Sequence, residues 1–200
     1  MSVSAEQIKQ LRDQTGAGFK DCRDALEKAG GNLAQAAEWL RSQGLAAASK
    51  RLGRETRSGV LELYQHGEGR VGVMVEVNCE TDFVGRTKEF RDFAHEIALQ
   101  VAAAAPRWVS PDDVPAQRVE EESNDARRTA GTDGKPETVI DQIVADRLEQ
   151  FYAEVCLLRQ AYIRDEAKSV EDLLHEVIAT TGENVTIRRL ARWEVGETIE

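Results

Sequence analysis

Val71-Gly72-Val73-Met74-Val75-Glu76-Val77-Asn78 places a valine at every second position for four repeats. Side chains on a strand alternate between faces, so this spacing predicts a β-strand with one buried face. Immediately before it, Gly67 and Gly69 flank a hairpin turn, and Leu61 and Leu63 share one face of the strand that enters that turn. On either side of this hairpin the apolar period becomes helical.

Upstream, the first 44 residues read as three short helices. Ser4 can cap the first, with Gln7 at the capping-box position and Ile8 and Leu11 facing inward. The turn Thr15-Gly16-Ala17-Gly18 ends it. Phe19, Cys22, Leu26 and Ala29 then fall on one side of a second helix, which Gly30-Gly31 stops. Asn32 with Gln35 forms another capping box, and Leu33, Ala36, Ala37 and Leu40 make the inner face of a third helix ending at Gly44. Helices of about ten residues do not stand alone, so the three must pack into one bundle with a small core. The alanine-rich segment Leu45 to Leu52 suits a helical linker, with Gly53 and Gly59 bracketing its exit.

Downstream, Phe90, Phe93, Ala94, Ile97 and Val101 mark a helix that ends through Ala102–Ala105 and Pro106. Residues 109–136, with their prolines, glycines and the run Glu120-Glu121-Glu122, read as surface loop with at most one short polar helix. A long helix resumes from Pro136, with Val139, Ile143, Leu148, Phe151 and Val155 facing inward. Val170 to Ala179 gives another helix, and Thr181-Gly182-Glu183-Asn184 turns the chain into a last strand carrying Val185, Ile187, Arg189, Ala191 and Trp193 on one face. Strands separated by helices without regular βαβ alternation predict an α+β fold with an antiparallel sheet and packed helices. The domain boundaries expected are residues 1–55 for the helical bundle with its linker and 56–200 for the α+β core.

Composition fits a soluble globular protein, 41% hydrophobic and 31% charged, with no apolar run long enough for a bilayer and no secretory signal pattern. Cys22, Cys79 and Cys156 are too scattered for a disulfide framework or a zinc site, so reduced thiols and a cytoplasmic location are expected. The net charge of −10 is uneven: residues 1–57 hold 10 Lys or Arg against 7 Asp or Glu, and the rest of the chain holds the acidic excess. So acidic a chain is a poor general nucleic-acid binder, and the asymmetry places a junction near residues 50–58.

No catalytic constellation emerges. His66 falls in the hairpin region, and His95 and His175 fall in separate helices, without HExxH or Cys-His spacing. Gly16-Ala17-Gly18 follows a helix, whereas a dinucleotide loop follows a strand and opens a helix. The segment Asn78 to Val84 is different. A buried valine strand stops, and Glu80, Thr81 and Asp82 give way at once to Phe83 and Val84. One reading makes Thr81 or Asp82 a helix cap and tucks Phe83 into the core. The other exposes Asp82 and Phe83 as a charged and aromatic wedge for a partner's pocket.

Asn78-Cys79-Glu80-Thr81-Asp82-Phe83-Val84 resembles the most diagnostic motif of the bacterial translation elongation factor Ts family. Leu11-Arg12 through Thr15-Gly16-Ala17-Gly18 to Asp21-Cys22 and Ala25-Leu26 is similar to that family's N-terminal signature. Two further blocks resemble it in order along the chain. One is Phe151-Tyr152 through Glu154-Val155-Cys156-Leu157-Leu158 to Gln160. The other is Gly182-Glu183-Asn184-Val185 with Ile187-Arg188-Arg189 and Glu194-Val195-Gly196-Glu197. Departures are Phe19 where methionine is frequent, Ala161-Tyr162 for Pro-Phe, Asp165-Glu166 for Asp-Pro, and Leu190 and Trp193 where phenylalanine is common.

The resemblance implies an N-terminal three-helix domain of the ubiquitin-associated type and a dimerisation-type α+β core. The absence of an internal repeat matches the family's short, single-core form, whose members can pair as homodimers. The implied function is guanine nucleotide exchange on elongation factor Tu, without a catalytic site or cofactor in this chain, the magnesium belonging to the partner. Thr81, Asp82, Phe83 and Val84 are the implied partner-binding loop, with Asp82 and Phe83 entering the GTPase beside its magnesium site. Leu11, Arg12, Thr15, Gly16, Ala17 and Gly18 are the implied second contact, although Leu11 also suits a core position and the glycines also suit a plain turn. A ubiquitin-associated-type adaptor is the alternative, and it leaves Asn78 to Val84 without a purpose. A small enzyme is a further rival, opposed by the missing constellation.

Overall fold

Ser4 and Gln7 exchange hydrogen bonds, Gln7 N–H to Ser4 Oγ at 3.2 Å and Ser4 N–H to Gln7 Oε1 at 3.0 Å, so the first helix starts with the reciprocal box its sequence spells. The computed structural model describes residues 3–15, 17–131 and 136–198; Gly16, one of the residues singled out above, lies outside them. The elements are α1 (Ala5–Thr15), α2 (Phe19–Lys28), α3 (Leu33–Ser49), β1 (Ser58–His66), β2 (Val71–Cys79), α4 (Lys88–Ala104), α5 (Ala116–Ala130), α6 (Glu137–Val155), β3 (Ala161–Tyr162), β4 (Asp165–Ser169), α7 (Val170–Thr181) and β5 (Val185–Glu194). This is an α+β chain with N-terminal helices. By its contacts it divides into two compact units. One comprises Met1–Gly59, Asn78–Phe93 and Leu174–Thr186; the other comprises Val60–Val77, Ala94–Leu173 and Ile187–Glu200.

In the first unit, α1 to α3 close around Ile8, Leu11, Cys22, Ala25, Leu26 and Ala36. Asn32 caps α3 by accepting the Gln35 N–H at 3.1 Å. Two expectations fail here. Phe19 is 58% exposed rather than inward, since it is the first residue of α2, one turn before the buried Cys22. Gly44 does not end α3, which runs on to Ser49 through the alanines that follow. Alanine is the best helix former and outweighs a single glycine. A Cβ at Gly44 would come within 3.0 Å of the Ala179 Cβ, so the glycine allows α3 to approach α7.

β1 and β2 form a hairpin, with β5 on the other side of β2. Gly67 and Gly69 both adopt positive φ in the turn, where Arg70 N–H donates to Gly67 O at 3.2 Å. Along β2 the valines and Cys79 are buried and the residues between them are partly exposed, as the alternation predicts. On β1 the shared face of Leu61 and Leu63 is the exposed one. β5 departs from expectation. Val185 and Ile187 are buried but Trp193 is 62% exposed, while Arg192 donates from Nε to Ala102 O at 3.3 Å. The exposed pair Arg188-Arg189 separates the two halves, so the alternation shifts phase there and the five residues do not share a face.

In the second unit, residues 109–136 correct the sequence reading. They contain a 3-10 turn at Pro111–Asp113 and the 15-residue helix α5. Ala126 and Ala130 pack against Ile140 and Val144 of α6, which places Ile140 inward and leaves Val139 exposed. α5 is polar almost all round, so small alanines rather than large apolar residues mark its seam. A buried amide pair pins the β3–β4 hairpin. Gln100 Nε2 donates to Gln160 Oε1 at 3.2 Å and to Ala161 O at 3.1 Å, and its Oε1 accepts from Ile163 N–H at 2.9 Å.

Candidate partner-binding site

Where β2 ends, Cys79 is buried and its thiol donates to Thr81 O at 3.0 Å, turning the chain back on itself. Burial raises the Cys79 pKa above its ordinary value, and the nearby Glu183 charge adds to that, so the thiol stays protonated and able to donate. Thr81 is the anchor of the loop. Its N–H donates to Glu183 Oε2 at 3.0 Å and its hydroxyl donates to Glu183 Oε1 at 2.7 Å. Gly85 N–H reaches Thr81 O at 3.3 Å, and Val84, 6% exposed, anchors the far side in the interior.

Asp82 and Phe83 stand between these anchors. Phe83 is 78% exposed, so it is not the core residue that one reading of this segment makes it. A phenylalanine left in water forgoes roughly 1.5–3 kcal/mol of burial. The contrast with Phe90, fully buried seven residues later on α4, shows that this unit can bury a phenylalanine where it needs one. Thr81 Oγ1 accepts the Val84 N–H at 3.4 Å at the head of the 3-10 turn Val84–Arg86, but neither Thr81 nor Asp82 begins α4. Thr87 does, its hydroxyl lying 3.4 Å from the Phe90 N–H and its carbonyl accepting from Arg91 N–H. The Asp82 carboxylate accepts from Arg86 at 2.6 Å, an exposed pair that water and salt weaken.

A second loop answers the first. Glu80 Oε1 accepts the Asn184 N–H at 2.6 Å, and Asn184 Nδ2 donates to Arg54 O at 2.7 Å. Glu80 and Glu183 thus each bind the other's loop, and Thr56 and Thr186, which follow Arg54 and Asn184 by two residues each, share a hydroxyl hydrogen bond at 2.9 Å. Sequence reasoning quoted Gly182-Glu183-Asn184 without seeing its role. Nothing local could reveal it, since the partners lie 102 and 104 residues away.

The N-terminal residues gather separately, around the α1–α2 turn. Leu11 is wholly buried, and its carbonyl accepts the Thr15 hydroxyl at 2.7 Å. Thr15 Oγ1 in turn accepts the Ala17 N–H at 3.3 Å. Gly18 caps α2 in an extended conformation, where a Cβ would meet Asp21 Oδ2 at 3.1 Å. Arg12, Gly18 and Phe19 are exposed at this end of the bundle.

Such a site holds side chains outward and has no reacting group at its centre. The histidines lie elsewhere: His95 pairs with Glu62 at 2.9 Å, His66 with the Tyr64 hydroxyl at 3.1 Å, and His175 is on α7. Among the described residues no three His, Cys, Asp or Glu side chains gather to hold a metal ion, and no helix is long and apolar enough to cross a membrane. The family model described as Elongation factor TS matches residues 47–197, a span that contains the whole clasped loop and its answering turn. The chain belongs to the elongation factor Ts family. Proteins named Elongation factor Ts from Caldanaerobacter subterraneus subsp. tengcongensis and Coprothermobacter proteolyticus are 54% and 50% identical to it, each over at least 98% of both chains. That from Desulfitobacterium hafniense is 50% identical over 99% of this chain and 91% of its own. Elongation factor Ts proteins are exchange factors without a catalytic site of their own.

Proposed function

We propose that this chain is a guanine nucleotide exchange factor for translation elongation factor Tu and that Asp82 and Phe83 are the residues it presses into the partner. The observation that carries the second half is Phe83, exposed between two internally anchored residues. An aromatic side chain held clear of its own core on a fixed backbone is poised to fill a pocket elsewhere. Entering beside the partner's magnesium and phosphate site, Phe83 displaces side chains there and Asp82 competes for their hydrogen bonds. Nucleotide contacts weaken, GDP leaves and GTP takes its place. The coupling is reciprocal, so nucleotide weakens the grip of this protein by the same factor.

Thr81 and Val84 act as the posts of that wedge. Residues 1–55 form the ubiquitin-associated-like domain and provide a second contact through Leu11, Arg12, Thr15, Gly16, Ala17 and Gly18, of which Arg12 and Gly18 are exposed and Leu11 is buried. Residues 56–200 form the core through which two copies pair. The exposed Leu61 and Leu63 on β1 support pairing, since a strand face with two bare leucines favours a cover. The protein works in the cytoplasm, binds no cofactor, and leaves nucleotide and magnesium to its partner.

The test is release of fluorescent GDP from elongation factor Tu in excess unlabelled nucleotide, with this protein substoichiometric. Acceleration with turnover is expected; its absence overturns the reading. Light scattering is expected to give the mass of two chains.

A further inference from the structure

We propose that Glu183 is the positioning residue of the exchange wedge, holding Thr81 by both N–H and hydroxyl so that Asp82 and Phe83 are set for insertion before the partner arrives. The inference rests on the exchange reading above and deepens it. Thr81 immediately precedes the two exposed residues, and each of its polar groups is tied: N–H and hydroxyl to Glu183, carbonyl to the Cys79 thiol and Gly85 N–H. A carboxylate accepting two hydrogen bonds in this way fixes position and direction together, and charged acceptors make the stronger bonds. Glu80 returns the contact by holding the Asn184 N–H, so the two turns are clasped from both sides.

The clasp matters because insertion orders a loop. A loop already ordered in the free protein loses little entropy on entering its partner, whereas a loose one loses it at the moment of exchange. Glu183 touches neither nucleotide nor partner in this scheme. Its removal therefore slows the insertion step and leaves initial docking, which uses other surfaces, largely intact.

The experiment titrates full-length variants against elongation factor Tu carrying fluorescent GDP and separates the plateau release rate from the half-saturating concentration. Glu183→Ala is expected to lower the plateau about 3- to 10-fold, with little change in half-saturation. Glu183→Gln, which keeps one acceptor and loses the other, falls between. The isosteric Thr81→Val, which removes the hydroxyl bonded to Glu183, is expected to lower the plateau by a similar factor. The decisive arm is the triple variant D82A/F83A/E183A, which should be no slower than D82A/F83A, because Glu183 acts only through the two wedge residues. A plateau at the unmodified rate for both E183A and T81V overturns the proposal. So does a triple variant slower than D82A/F83A by the full E183A factor, which is the mark of a general structural role. If E183A fails to fold, E183Q and T81V carry the same two criteria. If F83A itself exchanges at the unmodified rate, the wedge reading falls first, and that outcome is distinct from failure of the clasp alone.

Discussion

The Cys79–Gly85 loop and the α5–α6 hairpin are both polar excursions, and they are held by opposite means. The loop depends on directional bonds to residues 102 and 104 positions away. The hairpin closes on its neighbours, with alanines on one helix against Ile140 and Val144 on the other and ion pairs such as Arg127 to Glu137 and Asp141 along the rim. A pair of helices needs only a narrow seam, since backbone bonds within each helix already satisfy its polar groups. The loop has only a few short-range bonds of its own, such as Gly85 N–H to Thr81 O and Arg86 N–H to Phe83 O, so the clasp to Glu183 and Asn184 supplies the rest of its geometry. The contrast predicts that changes in the loop alter exchange without altering stability, and changes in the hairpin do the reverse.

The largest effect should come from Phe83→Ala. Interface aromatics that fill a pocket commonly contribute about 2 kcal/mol or more, so the plateau exchange rate should fall roughly 30-fold. The melting temperature should stay within about 1 °C, because an exposed side chain away from special features moves stability little. Ile140→Ala is the mirror case. It empties part of the hairpin seam and should cost about 2–3 kcal/mol in denaturant unfolding, with the exchange plateau unchanged while the protein is folded. Equal loss of exchange in both variants would erase the distinction between the two regions.

Much of this was legible in the sequence, for particular reasons. The four alternating valines identify β2 because a period of two has one simple physical meaning, and the Ser4–Gln7 box marks α1 because capping is local. The one polar helix that residues 109–136 allow is longer and better packed than its sequence shows, because α5 carries its apolar seam in Ala126 and Ala130, which give almost no periodic signal. Gly44 misled because propensity in the alanines beyond it outweighs one glycine, and β5 because a phase shift leaves no trace in composition. The motif Asn78 to Val84 was visible as a break in pattern, but its two readings differed only in where Phe83 points. Local chemistry could not decide that, since the residue that anchors the loop, Glu183, lies in another turn.

The next contrast is in pH. Cys79 has its thiol pKa raised above its ordinary 9.0, mainly by burial and then by the Glu183 charge. A folded-state pKa above the unfolded one means that the stabilisation is fully present below about pH 9 and is lost as pH rises through the folded value. Above that range a thiolate would face Glu183 and stop donating to Thr81. The loop should therefore loosen in alkali, whereas arginine–carboxylate pairs in the hairpin do not titrate there. Comparing wild type with Cys79→Ser cancels the pH response of elongation factor Tu itself, since the serine hydroxyl does not titrate. The ratio of their plateau rates should stay flat up to about pH 9 and fall above it, as pH rises through the folded-state value of the thiol. A constant ratio would remove the thiol from the clasp.

The smallest effect expected is that of Arg127→Ala, and it tests the hairpin side most closely. Arg127 reaches Glu137 at 2.7 Å and Asp141 at 2.8 Å, joining the end of α5 to the start of α6. Geometry this good suggests a strong tie, but the arginine side chain is 49% exposed and both carboxylates more so. Water screens the attraction and three side chains lose rotamer freedom, so the variant should cost only about 0.5 kcal/mol. Because the interaction is at the surface, added salt near 0.5 M should shrink the difference between variant and wild type. The Ile140→Ala deficit should persist in the same salt, since it comes from lost packing. A salt-insensitive loss from Arg127→Ala as large as that of Ile140→Ala would show that the hairpin, like the loop, is held by directional polar bonds, and the comparison between them would fail at its foundation.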